Sequence, residues 1–202
     1  MSYYDAKSTS KQLRDARKFP WGEDILKSTC MLCGEVIKDC HFGFFGIASI
    51  NGWQLTVATW LELHPTTGQP RFFFTNDPWH RGQPHIDMAT MQGQWYLLHK
   101  DIVPGSTDKT PEDQARMLPP EYEVPTTIVE VSKDLLVFQK TGEYPNESRW
   151  ATCTERTVNT GRVPAGLVSC VGPFDKNGLY VRHWRGNPTD SIGVAASRKF
   201  PN

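Results

Sequence analysis

Short hydrophobic runs separated by closely spaced turn signals are the feature that most constrains the fold of this chain. From residue 42 onward, groups of Gly, Pro, Asn and Asp interrupt the apolar runs at intervals of about 8–12 residues. This spacing is typical of a barrel, a roll or a sandwich, and it lacks the strand–helix alternation of a parallel α/β sheet. We therefore predict a mainly β (α+β) fold, an antiparallel β-barrel or roll of about nine or ten strands, because closure hides strand edges.

The pair Asn51-Gly52 is the sharpest of these turn signals. It separates an apolar run at 42–50 from a second run at 53–63, and both central residues of a type I′ hairpin take a positive φ angle. The remaining strands are expected in short stretches bounded by turn residues: 71–75, 86–91, 94–102, 126–131, 135–140, 149–158, 166–171, 179–184 and 191–196. The fourth and fifth of these are predicted to form a hairpin across residues 132–134.

Two helices are predicted outside the strands. Residues 21–39 carry apolar side chains at helical spacing, with acids near the start of the segment. A second, short helix is expected to begin at Thr110-Pro111, where a capping hydroxyl precedes a proline and two acids, and to end before Pro119-Pro120. Residues 1–20 are polar and are predicted to form an N-terminal arm, and residues 21–202 a single antiparallel β-barrel-like domain.

Charge and cysteine content narrow the function classes. Lys and Arg total 22, as do Asp and Glu, so the chain lacks the basic excess of a nucleic-acid binder or of an electrostatic membrane anchor. No apolar run approaches the roughly 20 residues of a transmembrane helix, and the first residues do not resemble a signal peptide. Five cysteines, an odd number, predict free thiols and a cytoplasmic protein. A homodimer is left open beside a monomer.

The segment Cys30-x-x-Cys33, followed by Cys40-His41, has a spacing that suggests a metal site. Zinc takes four N or S ligands in a tetrahedron, and a pair of cysteines separated by two residues supplies half of them. The adjacent side chains of Cys40 and His41 rarely converge on one ion, and the sequence offers no second spaced pair. We therefore predict core packing for these thiols and no structural zinc, with a zinc site and a redox pair as the alternatives.

The loop at 76–87 holds the densest group of titratable side chains. His80, His85 and Asp87 are predicted to be catalytic, because a histidine beside a carboxylate is the natural acid–base pair near neutral pH. On an extended segment His85 and Asp87 point the same way, and we expect Trp79 to line a cavity beside them. Ordinary turn chemistry and a metal held by the two histidines and the aspartate are the alternatives.

The predicted strand at 179–184 places a cation between two aromatic rings. Tyr180, Arg182 and Trp184 share one of its faces, and His183 lies on the other. If the first face lines a cavity, it forms an anion or carbonyl site with stacking walls, and we assign all four residues to substrate binding. The alternative is an outer face on which arginine stacks on aromatic rings in solvent.

Aromatic residues are abundant, with 7 Trp, 10 Phe and 6 Tyr. They indicate either a thick aromatic core or a pocket lined by aromatic rings, in which Trp60 is another expected wall. His99 shares a face with Asp101 at the end of a predicted strand and is a further candidate base, with a satisfied core histidine as the alternative.

Together these features favour a small-molecule enzyme. The sequence contains no Gly-rich phosphate loop, Gly-x-Ser-x-Gly elbow or His-Glu-x-x-His motif, so we expect neither an organic cofactor nor a metal. We predict acid–base chemistry of the isomerase, cyclase or lyase type on a largely apolar or aromatic molecule in a barrel pocket. A non-catalytic carrier or sensor with the same pocket is the first alternative, and a scaffold protein is the second.

Overall fold

The computed structural model describes residues 18–64, 67–73 and 80–200. This part of the chain contains six helices and ten strands. The helices are α1 Glu23–Leu26, α2 Ile37–Cys40, α3 Val57–Leu63, α4 Pro84–Asp87, α5 Pro111–Arg116 and α6 Thr127–Thr141. The strands are β1 His41–Phe45, β2 Ser49–Ile50, β3 Trp53–Gln54, β4 Trp95–His99, β5 Tyr122–Glu123, β6 Trp150–Arg156, β7 Val168–Asp175, β8 Gly178–Trp184, β9 Ile192–Val194 and β10 Ser197–Arg198.

The strands form three open sheets. The first has the order β1-β4-β10-β5 and is antiparallel, and the second has the order β8-β7-β6-β9. In the second sheet β6 and β9 run parallel, while the other pairs are antiparallel. Strands β2 and β3 form a separate hairpin. The strand-rich α+β class is confirmed, but no sheet in the described residues closes into the predicted barrel.

A central helix takes the place of barrel closure. Helix α6 contacts β1, β6 and β7 as well as α3 and α4, so both larger sheets pack against a helix. The hairpin predicted here is wrong, because β-branched residues at 127–131 resemble a strand in sequence and the polar residues at 132–134 resemble a turn. Every residue from Thr127 to Val137 is buried, and Gly142 ends the helix with a φ angle of 77°.

The polar residues of α6 are paired inside the core. The ammonium of Lys133 lies 2.7 Å from Oε1 of Glu130 and 2.9 Å from Oδ1 of Asp134, and it donates to the carbonyl of Lys100 at 2.6 Å. Burial works against the charged form of Lys133, but the two carboxylates raise its pKa. Burial raises the pKa of Asp134 to about 8, and the nearby carboxylate of Glu130 acts in the same direction while Lys133 opposes both.

The predicted helix at 21–39 is interrupted. Residues 23–26 and 37–40 are helical, but the chain between them turns back on itself, with a β-bridge between Thr29 and Val36. Gly34 has a φ angle of +82°, which a helix does not allow. Cys30 and Cys33 therefore lie in a tight turn rather than on the face of a helix.

The turn signal at Asn51-Gly52 and the cap signal at Thr110 are both confirmed. Asn51 and Gly52 have φ angles of 51° and 84°, as the type I′ hairpin requires, and Thr110 caps α5 as predicted. The strand expected at 53–63 stops after Gln54, because the hydroxyl of Thr56 accepts from the backbone of Thr59 and starts α3. The strand expected at 86–91 is wrong as well, since 84–87 form a helical turn.

Several other predictions have a definite outcome. Strands predicted near 94–102, 149–158, 166–171, 179–184 and 191–196 correspond to β4, β6, β7, β8 and β9. Most of the predicted N-terminal arm lies outside the described residues, and its separation from a single domain at 21–202 stays a prediction.

None of the helices in the described residues has both the length and the apolar character needed to cross a membrane.

The first test concerns the Asn51-Gly52 hairpin. Changing Gly52 to Val should lower the free energy of unfolding by roughly 1–2 kcal/mol, because a β-branched residue resists positive φ. A Cβ atom added at Gly52 meets no neighbour within 4 Å, so a loss is expected to report backbone strain rather than a clash. Urea unfolding measures the effect, and Gln54→Val on the adjacent strand is the control. An unchanged midpoint for Gly52→Val would contradict the hairpin.

The second test concerns the buried ion pairs of α6. Changing Lys133 to Met should destabilise the protein by about 3–5 kcal/mol, since Glu130 and Asp134 would lose their shared cation in a site without water access. The exposed pair of Arg116 and Asp113 supplies the matched control. Arg116→Met should cost less than about 1 kcal/mol in the same urea titration. Equal losses in the two variants would refute the role given to Lys133.

Candidate functional site

A cavity of about 580 Å³ lies beside β8, and its size is typical of small-molecule sites. Strand β8 is outermost in the second sheet, so consecutive residues from Tyr180 to His183 reach the cavity. The loop between β6 and β7 forms the other wall. The described residues that line the cavity are Trp150, Arg162, Val163, Pro164, Leu167, Tyr180, Val181, Arg182 and His183.

The cavity combines stacking surfaces with positive charge. The guanidinium of Arg182 lies 5.6 Å from the centroid of the Trp150 ring, and that ring meets Tyr180 edge to face at 5.8 Å. Two arginines and no acidic residue occur among the described lining residues. Within the described parts of the chain, no carboxylate forms an ion pair with Arg182. The site is therefore complementary to an anion that carries a flat apolar body.

The loop that forms the far wall is held by its own hydrogen bonds. The hydroxyl of Thr157 donates to the carbonyl of Pro164 at 2.6 Å and accepts from the backbone of Leu167 at 3.0 Å. The buried amide of Gln83 donates to the carbonyl of Val158 at 3.0 Å and accepts from its N–H at 2.8 Å. These contacts attach the segment before α4 to the cavity wall, so the cavity is preorganised.

Three buried histidines meet behind the cavity. The rings of His85 and His183 lie 5.5 Å apart, edge to face. Burial is the main cause that lowers the pKa of His85 to about 4 and that of His183 to about 3. Burial lowers the pKa of His80 to about 4, and nearby Arg81 acts in the same direction. All three imidazoles are therefore neutral at pH 7, and His183 is the one that lines the cavity among the described residues.

Asp87 does not orient any of these imidazoles. Its carboxylate accepts from the backbone N–H of Gly82 at 2.6 Å and lies 3.5 Å from the guanidinium of Arg81. Because residues 84–87 are helical rather than extended, His85 and Asp87 do not share a face as the sequence suggested. The predicted His85–Asp87 pair thus closes a turn, and the close partner of His85 is His183.

The other predicted site residues lie elsewhere. The indole of Trp60 is buried in the main core and donates to the hydroxyl of Ser132 at 2.9 Å. Trp184 is buried beneath the sheet and donates to the carbonyl of Asn187 at 3.0 Å. His99 lies beside Cys30, Cys33 and Cys40 and lines a second cavity of about 640 Å³, which Asp101 also lines. Trp79 lies outside the described residues. The structure therefore brings together Tyr180, Arg182 and His183, with His85 behind them.

Sequence reasoning missed the far wall of the cavity. The sequence pattern places Trp150, Arg162 and Leu167 only in strands or a connection, although the 157–167 connection is unusually long for a hairpin between paired strands. A long connection that contains an arginine and a proline was the available signal. Its position opposite β8 depends on tertiary contacts that the sequence pattern does not contain.

The buried histidines predict loss of stability in acid. An unfolded histidine titrates near pH 6.5, whereas these native imidazoles remain neutral to about pH 4. The histidines therefore contribute fully to the free energy of unfolding above pH 6.5, and this contribution is lost as the pH falls toward 4. When the pH is lowered from 7.5 to 5, the free energy of unfolding should fall in both proteins. The fall should be smaller in His85→Asn than in the parent protein, by on the order of 1–2 kcal/mol. Urea titrations at both pH values test this, and equal losses would contradict it.

No family model, curated protein or solved structure matches the chain.

Proposed function

We propose that this protein binds a small planar anion, of the aromatic carboxylate type, in the cavity beside β8, as a carrier or sensor. The observation that carries the proposal is the guanidinium of Arg182 above the Trp150 ring, in a cavity whose described walls hold no acid. An aromatic body fits between Trp150, Tyr180 and the apolar residues of the far wall. The carboxylate then pairs with Arg182, whose planar guanidinium matches two oxygens at once.

Binding without chemistry is favoured over the acid–base enzyme expected from the sequence. The carboxylate that was predicted to activate His85 is engaged by Arg81 and Gly82. A neutral histidine of lowered pKa, such as His183, is also a weak base at pH 7. No His–carboxylate pair lines the cavity among the described residues.

An isomerase, cyclase or lyase activity remains the second candidate, and one observation favours it. His183 lines the cavity and contacts His85, so a ligand bound there lies beside two neutral imidazoles. Neutral imidazole both donates and accepts a hydrogen bond and so can polarise or deprotonate an acidic C–H next to a carbonyl.

Aromatic probes of different charge test the proposal. We expect 2-naphthoate to bind and the neutral 2-naphthamide to bind at least about tenfold more weakly, because a charge-assisted hydrogen bond contributes about 1.5–3 kcal/mol. Isothermal titration calorimetry measures both. Arg182→Met should weaken 2-naphthoate binding about 10- to 100-fold and leave 2-naphthamide binding nearly unchanged.

Arg185 provides a matched control on the same segment. It is exposed and does not line the cavity, so Arg185→Met removes one positive charge without touching the site. If both variants weaken 2-naphthoate equally, binding reflects net charge and the proposal fails. If His183→Gln abolishes turnover of a substrate while its affinity persists, the enzyme is the correct function.

A further inference from the structure

A second group of reactive side chains lies away from the cavity, around three cysteines. The sulfur atoms of Cys30, Cys33 and Cys40 and a ring nitrogen of His99 all lie within 4.8 Å of one another. In a tetrahedral zinc site the ligand atoms are about 3.5–4 Å apart, given Zn–S near 2.3 Å and Zn–N near 2.0–2.1 Å. Within the described residues this is the one group of His, Cys, Asp or Glu that gathers so closely.

Cys30 and Cys33 lie in a turn in which a backbone N–H group donates to the sulfur of Cys30. The N–H of Cys30 donates to the carbonyl of Glu35 at 2.6 Å, and the N–H of Gly34 donates to the carbonyl of Cys30 at 2.9 Å. The turn directs the N–H of Leu32 to the sulfur of Cys30 at 3.3 Å. Such a donor stabilises a thiolate, which is the form that binds a metal.

The third and fourth ligands come from the first sheet. Cys40 ends α2 just before β1, and a hydrogen bond of 3.0 Å from Ile37 to the carbonyl of Ser28 attaches this helix to the cysteine turn. His99 ends β4 and pairs across the strands with His41. The fourth ligand is therefore a residue that β-pairing brings next to Cys40, rather than the adjacent His41.

The histidine has the orientation of a metal ligand. Its Nδ1–H donates to the carbonyl of Asp101 at 2.7 Å, which leaves Nε2 with a free lone pair. Nε2 is buried and has no hydrogen-bond partner in the described residues. A buried imidazole nitrogen without a partner is costly in a purely packed core, whereas a metal would satisfy it.

Polar groups surround the sulfur atoms on the far side. His41 Nδ1 lies 3.1 Å from the sulfur of Cys40, and its Nε2 lies 3.2 Å from the hydroxyl of Tyr122. That hydroxyl lies 3.9 Å from the sulfur of Cys30 and accepts from Arg198 at 3.4 Å. Three thiolates and one zinc carry a net negative charge, and these donors, including an arginine, offset it.

We propose that Cys30, Cys33, Cys40 and His99 bind one zinc ion in a closed structural site. Three thiols release their protons when the ion binds, and four protein ligands leave no position for a substrate. The ion would link the cysteine turn and α2 to β4. The expectation of no zinc rested on the adjacency of Cys40 and His41, and His99 removes that objection.

Cobalt substitution tests the proposal on the whole protein. The metal-free chain, titrated with Co²⁺, should take up about one equivalent and show sulfur-to-cobalt charge transfer together with the intense visible bands of tetrahedral coordination. Zinc should displace the cobalt. Elemental analysis of protein expressed in zinc-supplemented medium should give about one zinc per chain. Absence of these bands, octahedral bands, or an iron–sulfur chromophore would each overturn the proposal.

Matched variants separate ligands from other buried residues. Cys40→Ser and His99→Gln should each lower the affinity for zinc at least about tenfold in competition with a chromophoric chelator. Cys170→Ser and His64→Gln are the controls, because both are buried and lie outside the cluster. Unchanged affinity in the two ligand variants would refute the assignment. The titration of the parent protein decides the question even if a ligand variant fails to fold.

Discussion

The fold depends on helix α6, which is buried together with the charged side chains of Glu130 and Lys133. Lys133, at the centre of α6, offers its ammonium to Glu130, Asp134 and a backbone carbonyl. Without that cation the side chains of Glu130 and Asp134 would lose their shared partner in the core, at a cost larger than most single contacts provide. With it, α6 presents an apolar surface to both larger sheets, so neither has to close on itself. The open sheets and their edges follow from this arrangement.

One of those edges defines the candidate binding site. Because β8 lies at one edge of its sheet, the 157–167 connection can fold back beside it and enclose a cavity. The inner face of the same strand carries His183 toward His85, where burial keeps both imidazoles neutral. Charge at the site thus comes from arginine alone among the described lining residues. For this reason we propose binding of an anion rather than acid–base chemistry.

The cysteine cluster depends on contacts in the first sheet rather than at the edge of the second. The turn at 30–35 follows from local hydrogen bonds and from Gly34, but it supplies only half of a tetrahedral site. Pairing of β1 with β4 brings in the other half. The proposed zinc site and the cavity share no residues, so they can be tested separately.

The sequence by itself determined the features that depend on a few neighbouring residues. Asn51-Gly52 specified a hairpin, Thr110-Pro111 specified a helix start, and the C-terminal strands were predictable from their turns, because φ preferences and capping bonds act locally. Strand alternation also predicted that Tyr180 and Arg182 share a face of β8, and both line the cavity.

Only the tertiary structure decided the rest. Residues 127–141 could pair as strands or form a helix, and burial between two sheets with an internal cation selected the helix. The pairing of β1 with β4 placed His99 beside Cys40, which the sequence pattern did not indicate. The partner of His85 is His183 rather than the nearby Asp87, for the same reason. Contacts between distant residues leave no trace in hydrophobic periodicity, so a single sequence could not reveal them.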